Sequence, residues 1–313
     1  MIGVGYLGKF HAEKYAALPN VELIGVCDSN QERCDSVANL LNTKAIYDYR
    51  DLVGQVDAVS IVVPTRLHYD VAKFCLEHNI HVLVEKPITT TVEEADVLIA
   101  IAKQNQLILQ VGHLERFNSV LRAVENILDN PRYIESHRLA MFNPRGADVN
   151  VLLDLMIHDL DIIQYLINSP IREIRANGAA VLTKDIDIAT ARLQFANACV
   201  ANITTSRASL KAERKLKIFQ HDAFIILDLQ NKHVSVYRKG QGEMFPGIPD
   251  IIHDQQSFEQ GDSLLEEIKA FANSIQNKTP AVVSGEDGRR ALATAIEITH
   301  LVNTQFDLET LST

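Results

Sequence analysis

A glycine-rich turn at the start of the chain does most to restrict its fold. Gly3-Val4-Gly5-Tyr6-Leu7-Gly8 is followed, twenty residues after Gly8, by Asp28. Val21–Cys27 reads as a strand ending at that aspartate, which gives the order turn, helix, strand, acid of a dinucleotide-binding unit. Gly3 permits a tight strand-to-helix turn, Gly5 lets the backbone approach a pyrophosphate, and Gly8 allows close packing of the helix that is expected to begin there. The first N–H groups of that helix would face the phosphates. A carboxylate at Asp28 accepts hydrogen bonds from both ribose hydroxyls but repels a 2′-phosphate, and no Arg follows it immediately. NAD is therefore expected rather than NADP. Only Met1 and Ile2 precede Gly3, whereas such a strand usually spans about five or six residues; an incomplete start of the chain is the expectation from that shortfall.

Up to about Phe117, short Val/Ile/Leu runs alternate with helical patterns. The strands are expected near Val21–Cys27, Ala58–Val63, His81–Val84 and Leu107–Val111, and the helices near Lys9–Ala17, Gln31–Leu41, Leu67–Glu77 and Val92–Lys103. This rhythm predicts an α/β unit, a parallel sheet with helices on both faces. Beyond Phe117 the pattern changes. A helix near Val149–Asn168 precedes strands near Glu173–Ala179, Ile188–Phe195, Cys199–Ser206, Lys215–Phe219, Ala223–Leu227 and His233–Tyr237. That succession predicts an α+β domain on a mostly antiparallel open sheet. The expected domains are 1–117 and 118–313. Gly242–Gln260, with Pro246, Gly247 and Pro249, reads as a loop. Asp262 is expected to cap a helix from Ser263 to about Ile275, and a turn at Ser284–Asp287 to lead into a last helix ending near Val302. The second sheet has few helices to cover it, so a homodimer or homotetramer through that sheet is expected.

The 313 residues are 47% hydrophobic and 22% charged, with a formal charge of −10. That charge argues against binding nucleic acid or an anionic membrane surface, so an anionic ligand must be met by local cations. The cysteines Cys27, Cys34, Cys75 and Cys199 form no metal-ligand spacing and read as reduced, buried thiols. No apolar run approaches the ~20 residues that span a bilayer, and no charged segment followed by an apolar stretch opens the given sequence. A cytoplasmic protein is expected.

Chemistry is concentrated in two places. The strand at His81–Val84 runs into Glu85-Lys86-Pro87, which sets the Lys86 ammonium at the carboxyl end of a sheet strand, where open α/β sheets bind ligands. Pro87 restricts the backbone around Lys86. Asp154 and His158 are four apart on a helix that is otherwise apolar, so they share a face, with Asp161 and Tyr165 continuing the stripe. Either a buried network or a ligand must satisfy that stripe. No third ligand completes a metal site with Asp154 and His158, and neither a nucleophilic serine turn nor a phosphate-cradling Gly-Lys-Ser/Thr loop is present.

The glycine turn, Val63-Pro64-Thr65-x-x-His68, Glu85-Lys86-Pro87 and Asp154-x-x-x-His158-Asp159 together resemble the Gfo/Idh/MocA oxidoreductases over essentially the whole chain. The resemblance implies an N-terminal Rossmann domain and a C-terminal substrate and oligomerisation domain. It places NAD against Gly3, Gly5, Tyr6, Leu7, Gly8, Asp28, Pro64, Thr65, His68, Glu85 and Lys86, and the substrate near Lys86 and His158. Val111-Gly112-His113-Leu114-Glu115-Arg116-Phe117-Asn118, Phe142-Asn143-Pro144-Arg145 and Leu153–Asp159 are most similar to members that oxidise the 3-hydroxyl of UDP-linked N-acetylglucosamine, ahead of an aminotransferase in lipid A or related glycan synthesis. In that setting Lys86 and His158 share the tasks of stabilising the hydroxyl oxygen and taking its proton, and Asp154 contacts a sugar hydroxyl or orients the histidine. His113, Arg116, Asn118 and Arg145 are the further substrate candidates, the arginines for the diphosphate. The corresponding uronic acid, a free polyol such as inositol, an imine- or biliverdin-type reduction, and a dinucleotide sensor without turnover are the alternatives.

Overall fold

The structure is a computed structural model and describes residues 1–143, 150–259 and 261–310. It contains two compact units, Met1–Phe117 with Asp262–Ala293, and Asn118–Gly261 with the chain from Thr294 onward. Among the described residues, no helix is long and apolar enough to cross a membrane.

The first unit alternates strand and helix: α1 (Tyr6–Ala17), β1 (Gly25–Cys27), α2 (Gln31–Leu41), β2 (Lys44–Ile46), β3 (Ala58–Ile61), α3 (His68–Glu77), β4 (His81–Glu85), α4 (Val92–Gln104) and β5 (Leu109–Gly112). β1 pairs with β2, and β3 with β4 and β4 with β5, all in parallel. Ile2 joins the two groups, bridging in parallel to Cys27 on one side and Ile61 on the other. The residues before Gly3 thus occupy the centre of the sheet. β4 is buried through Val82, Leu83 and Val84, as a strand covered on both faces must be. Two features depart from expectation. The strand expected over Val21–Cys27 contracts to three residues, and the short β2 has too few positions to show a period.

Asp262 caps α7 (Ser263–Asn277) as expected, its Oδ1 accepting from Leu265 N at 2.9 Å. α7, however, belongs to the first unit. It is amphipathic, and its Ile268 and Phe271 bury themselves with Tyr15, Leu18 and Leu83. The division into 1–117 and 118–313 is corrected accordingly: the first unit joins Asp262–Ala293 to Met1–Phe117, and the chain from Thr294 onward returns to the second unit. The final helix α8 runs Gly285–Thr310, past the expected end near Val302.

In the second unit, α5 (Ser119–Val124) and α6 (Ile157–Ile167) accompany eight strands, β6 (Tyr133–Leu139), β7 (Ile171–Ala179), β8 (Ile188–Phe195), β9 (Val200–Ser206), β10 (Glu213–Phe219), β11 (Ala223–Asp228), β12 (His233–Phe245) and β13 (Ile248–Ser257). Their order is β13-β12-β11-β10-β6-β9-β8-β7, and only β6 and β9 pair in parallel. Burial alternates along the strands, so one face carries the core, with Ile134, Leu193, Phe195, Ile203, Leu216, Ile218 and Ile225. Across five strands of the sheet runs a ladder of rings, Tyr133, Phe219, Phe224, Tyr237 and His253, with successive centroids 5.6, 4.5, 5.6 and 4.1 Å apart.

The loop expected over Gly242–Gln260 is instead a β-hairpin. β12 and β13 pair in an antiparallel register from His233↔Ser257 to Phe245↔Ile248. Pro246 and Gly247 form its turn, with Gly247 at φ +77°, and Pro249 is tolerated because β13 is an edge strand. The Pro and Gly signals marked a turn between strands rather than a long loop. β6 was not expected, because its inward positions include the polar Ser136 and Arg138, which break the apolar alternation.

Candidate active site

The glycine turn has the backbone its sequence requires. Gly3 sits at φ +82°, and a Cβ there would collide with the Val62 carbonyl; a Cβ on Gly8 would collide with the carbonyl of Gly3. At Gly5 an added Cβ would meet nothing within 4 Å, which leaves open space over the start of α1. That helix begins at Tyr6, not at Gly8. No side chain caps it and its first turn carries no acid, the arrangement that anion-binding helix starts use. A groove of about 690 Å³ opens there, bordered by Val4, Gly5, Tyr6, Lys9, Arg33 and Ser36. Lys9 supplies a local cation to a chain that is acidic overall. These features fit a dinucleotide diphosphate.

Asp28 is nearly buried at the end of β1. Its Oδ2 accepts from Val4 N at 2.9 Å and its Oδ1 from Asn30 N at 2.9 Å, tying the acid to the glycine turn. Arg33 then donates Nε to Oδ2 at 3.0 Å and Nη2 to Oδ1 at 2.7 Å. Burial alone would push the Asp28 carboxyl up, but the Arg33, Asn30 and Val4 hydrogen bonds hold it below the usual range. Ser29 follows Asp28, so no arginine is its immediate neighbour, but the fold supplies one from further along. Arg33 lies five residues on, and the first turn of α2 brings it back onto the acid.

A second cluster forms at the end of β4. Pro64 opens a short turn over Thr65–Leu67, and His68 follows at the start of α3. The buried His68 ring sets Nδ1 against the Pro87 carbonyl and Nε2 against the Val63 carbonyl, each at 2.9 Å. It braces the end of β3 against the Lys86–Pro87 peptide, which is cis. Burial pushes the His68 pKa down, while the two carbonyls pull it up. Glu85 accepts from Lys86 N at 3.2 Å and pairs with His11 Nε2 at 3.1 Å. Lys86 is thus held between an anchored acid and an anchored proline.

In the second unit, Asp154 and His158 straddle a junction. Leu152–Met156 is a turn of π-helix, and α6 starts at Ile157. Asn150 Oδ1 accepts from Leu152 N at 3.1 Å and Leu153 N at 3.0 Å, which fixes the start. Turns of this kind recur at functional sites. Asp154 and His158 are both half-buried. The expected stripe does not extend to Tyr165, which is exposed and donates to Glu125 Oε1 at 3.0 Å. The sequence assigns no role to Asp159, the acid beside His158 in the family motif. Asp159 is buried and receives Arg138 Nε at 2.6 Å and Ser136 Oγ at 2.9 Å, so this network pins α6 to β6.

Of the other candidates, His113 is buried in the first unit. Arg116 is buried too, with Nη2 3.5 Å from Asp287 Oδ1, rather than lying open to a diphosphate. Asn118 caps α5 by accepting from Val120 N at 3.2 Å and donates Nδ2 to the Leu229 carbonyl at 3.3 Å, which commits its amide to the fold. Arg145 lies outside the described residues. All four cysteines are free and buried; burial pushes Cys27 and Cys75 up to about 12.

Residues 1–113 match the sequence model of the "Oxidoreductase family, NAD-binding Rossmann fold", and residues 121–225 that of the "GFO/IDH/MocA C-terminal domain". UDP-N-acetylglucosamine 3-dehydrogenase of Acidithiobacillus ferrooxidans is 40% identical over 299 residues, 95% of each chain. Its solved structure superposes with a TM-score of 0.91 at 38% identity, covering 97% of this chain and 96% of that one. Myo-inositol 2-dehydrogenase of Thermotoga maritima is 25% identical, covering 93% of this chain and 92% of the other. The fold is also that of scyllo-inositol dehydrogenase from Lactobacillus casei, solved with NAD(H) and scyllo-inositol, at a TM-score of 0.81 and 21% identity.

Proposed function

Because the chain belongs to the Gfo/Idh/MocA family of NAD-binding oxidoreductases, we propose that it oxidises the 3-hydroxyl of UDP-linked N-acetylglucosamine to the 3-ketone. The observation that carries this reading is its likeness along nearly the whole chain to a UDP-N-acetylglucosamine 3-dehydrogenase. The nicotinamide of bound NAD supplies the hydride acceptor.

The protein's own groups then bind, orient and move one proton. The glycine turn and the start of α1 take the diphosphate, and Asp28 takes the ribose once Arg33 has moved aside. Lys86 donates to the sugar 3-oxygen and stabilises the negative charge that develops as the proton leaves. His158 accepts that proton, and Asp154, an acceptor when ionised, holds a sugar hydroxyl or the histidine ring. His68 keeps the Val63 and Pro87 carbonyls in place and so acts through the backbone around Lys86.

His113 and Arg145 remain substrate candidates in this reading. Arg116 and Asn118 act by holding the fold that carries the site. The 3-ketone is a substrate for an aminotransferase, which places the enzyme in the making of 2,3-diamino sugars for lipid A or related glycans. The aromatic ladder on the open sheet, with exposed Met244, Phe245, Ile248, Ile251 and Ile252 on the neighbouring hairpin, supports a homo-oligomer through that sheet.

Absorbance of NADH across UDP-N-acetylglucosamine, its uronic acid and inositol tests the reading. Turnover is expected with the first. Turnover of inositol alone would make the protein a polyol dehydrogenase, and cofactor binding without NADH on any sugar would make it a sensor.

A further inference from the structure

Glu85, next to Lys86 in the chain, joins a group of mostly buried side chains whose other members have no part in the mechanism. Within the first unit, His11 of α1, Glu85 at the end of β4 and Glu267 of α7 bring ligand-type atoms within 4.8 Å of one another. Glu267 and His11 have no exposed surface, and neither has Gln110 on β5. His11 Nε2 and Glu85 Oε1 are 3.1 Å apart, and Gln110 Nε2 donates to the backbone carbonyl of Glu267 at 3.1 Å.

This group is short of donors. Among the described residues, both carboxyl oxygens of Glu267, Oε1 of Gln110 and Nδ1 of His11 find no hydrogen-bond partner. When His11 donates from Nε2 to Glu85, all four of these atoms are acceptors. An ionised carboxylate in such a place would leave about four lone-pair sites unsatisfied out of water, beside a second carboxylate. One proton on Glu267 converts an acceptor into the missing donor and removes the repulsion with Glu85.

We propose that Glu267 is held as a neutral carboxylic acid, and that with His11 it forms a proton-sharing cluster that fixes the Glu85 carboxylate and so positions Lys86. Glu267 and His11 are then positioning residues acting through Glu85, whose Oε2 accepts from Lys86 N. Burial, and next the nearby Glu85, push Glu267 well above the usual carboxyl range. Glu85 is held below that range: burial opposes this, but the His11 hydrogen bond and the Lys86 charge outweigh it. Among the described residues, no cation is hydrogen-bonded to Glu267. Tyr15 on α1 is a buried phenol bonded to Ser60, and Arg116 in the turn beside α7 is paired with Asp287.

The role given to Lys86 rests on the dehydrogenase reading above; the protonation of Glu267 does not, and two measurements test it without substrate. Difference infrared spectra of the intact protein against Glu267→Gln should show a carboxylic-acid C=O band at neutral pH that the variant lacks. In thermal unfolding, a raised folded-state pKa gives stability that is full below the unfolded value and is lost as pH rises toward and through the folded one. Wild type should therefore lose ground to Glu267→Gln above the ordinary carboxyl range, by about tenfold in the unfolding constant per pH unit. Absence of the acid band, or parallel curves for the two proteins, would overturn the neutral-acid assignment. So would one equivalent of zinc bound to wild type and lost in Glu267→Gln, since the cluster would then be a metal site. For the positioning role, Glu267→Ala should lower kcat by ~10- to 100-fold with KM for NAD unchanged, and the isosteric Glu267→Gln should recover most of that loss. Wild-type kcat in Glu267→Ala, or equal loss in both variants, would overturn the positioning role and leave the dehydrogenase reading intact.

Discussion

Replacing Arg33 by Met keeps the aliphatic stem and removes the guanidinium from Asp28. In the structure Arg33 donates twice to that carboxylate, at 3.0 and 2.7 Å, while Val4 N and Asn30 N each donate at 2.9 Å. A carboxylate has about four acceptor sites, so all are taken, and two ribose hydroxyls can enter only by displacing Arg33. The Arg33 side chain is 48% exposed. Asp28 is almost covered, but with the cation this open to solvent the pair is worth about 0.2–1 kcal/mol, a cost that NAD binding must meet in wild type and is spared in the variant. Arg33→Met should accordingly bind NAD about 1.5- to 5-fold more tightly. Binding of NADP should weaken, because the cation that a 2′-phosphate could meet is gone and Asp28 remains. Titration of NADH fluorescence at fixed ionic strength reads both affinities. Weaker NAD binding in Arg33→Met would refute the argument, since it would show that Arg33 contacts the bound cofactor rather than competing with it.

Gly8→Ala should abolish measurable NAD binding and lower the melting temperature, because its Cβ would meet the Gly3 carbonyl, a backbone atom that cannot step aside. Arg138→Met leaves Asp159 charged and buried, so chemical denaturation should show a loss of about 3–5 kcal/mol, much of it recovered in the double variant Arg138→Met/Asp159→Leu. Asp187 accepts from Val181 N, Leu182 N, Thr183 N and Arg207 Nε, bonds that outweigh burial and hold its carboxyl below the usual range. Its stability contribution is present above the ordinary aspartate value and is lost as pH falls through the depressed one, so Asp187→Asn should flatten the acid side of a melting-temperature profile. His158→Asn should lower kcat by about 10²–10⁴-fold in steady-state assays, with KM for NAD unchanged.

Legibility in the sequence followed burial pattern and chain distance. The glycine turn, Asp28 and the Lys86 strand end were readable because each is local: a glycine spacing, an acid at a strand end, a lysine before proline. α2 and β8 were expected at their observed bounds because their apolar periods are regular. β6 was hidden because Ser136 and Arg138 face inward, and they do so only because Asp159, more than twenty residues later, receives them. The same holds for the Glu85 cluster. His11 and Glu267 are far apart in the chain, and their meeting depends on α7 folding onto the first unit. No local composition marks such a partner. The hairpin of β12 and β13 was misread for the opposite reason: a local turn signal at Pro246-Gly247 was strong, and the strand signals on either side of it were weak.

In the proposed reaction, NAD oxidises UDP-N-acetylglucosamine at C3 with Lys86 at the reacting oxygen. It is tested most directly by following NADH formation with that sugar in wild type and Lys86→Ala, with the product trapped as its 3-oxime. Wild type should form NADH and the 3-oxime in equal amounts, and Lys86→Ala should form neither at a comparable rate while still binding NAD. Wild-type turnover in Lys86→Ala, or NADH without a 3-keto product, would contradict the account.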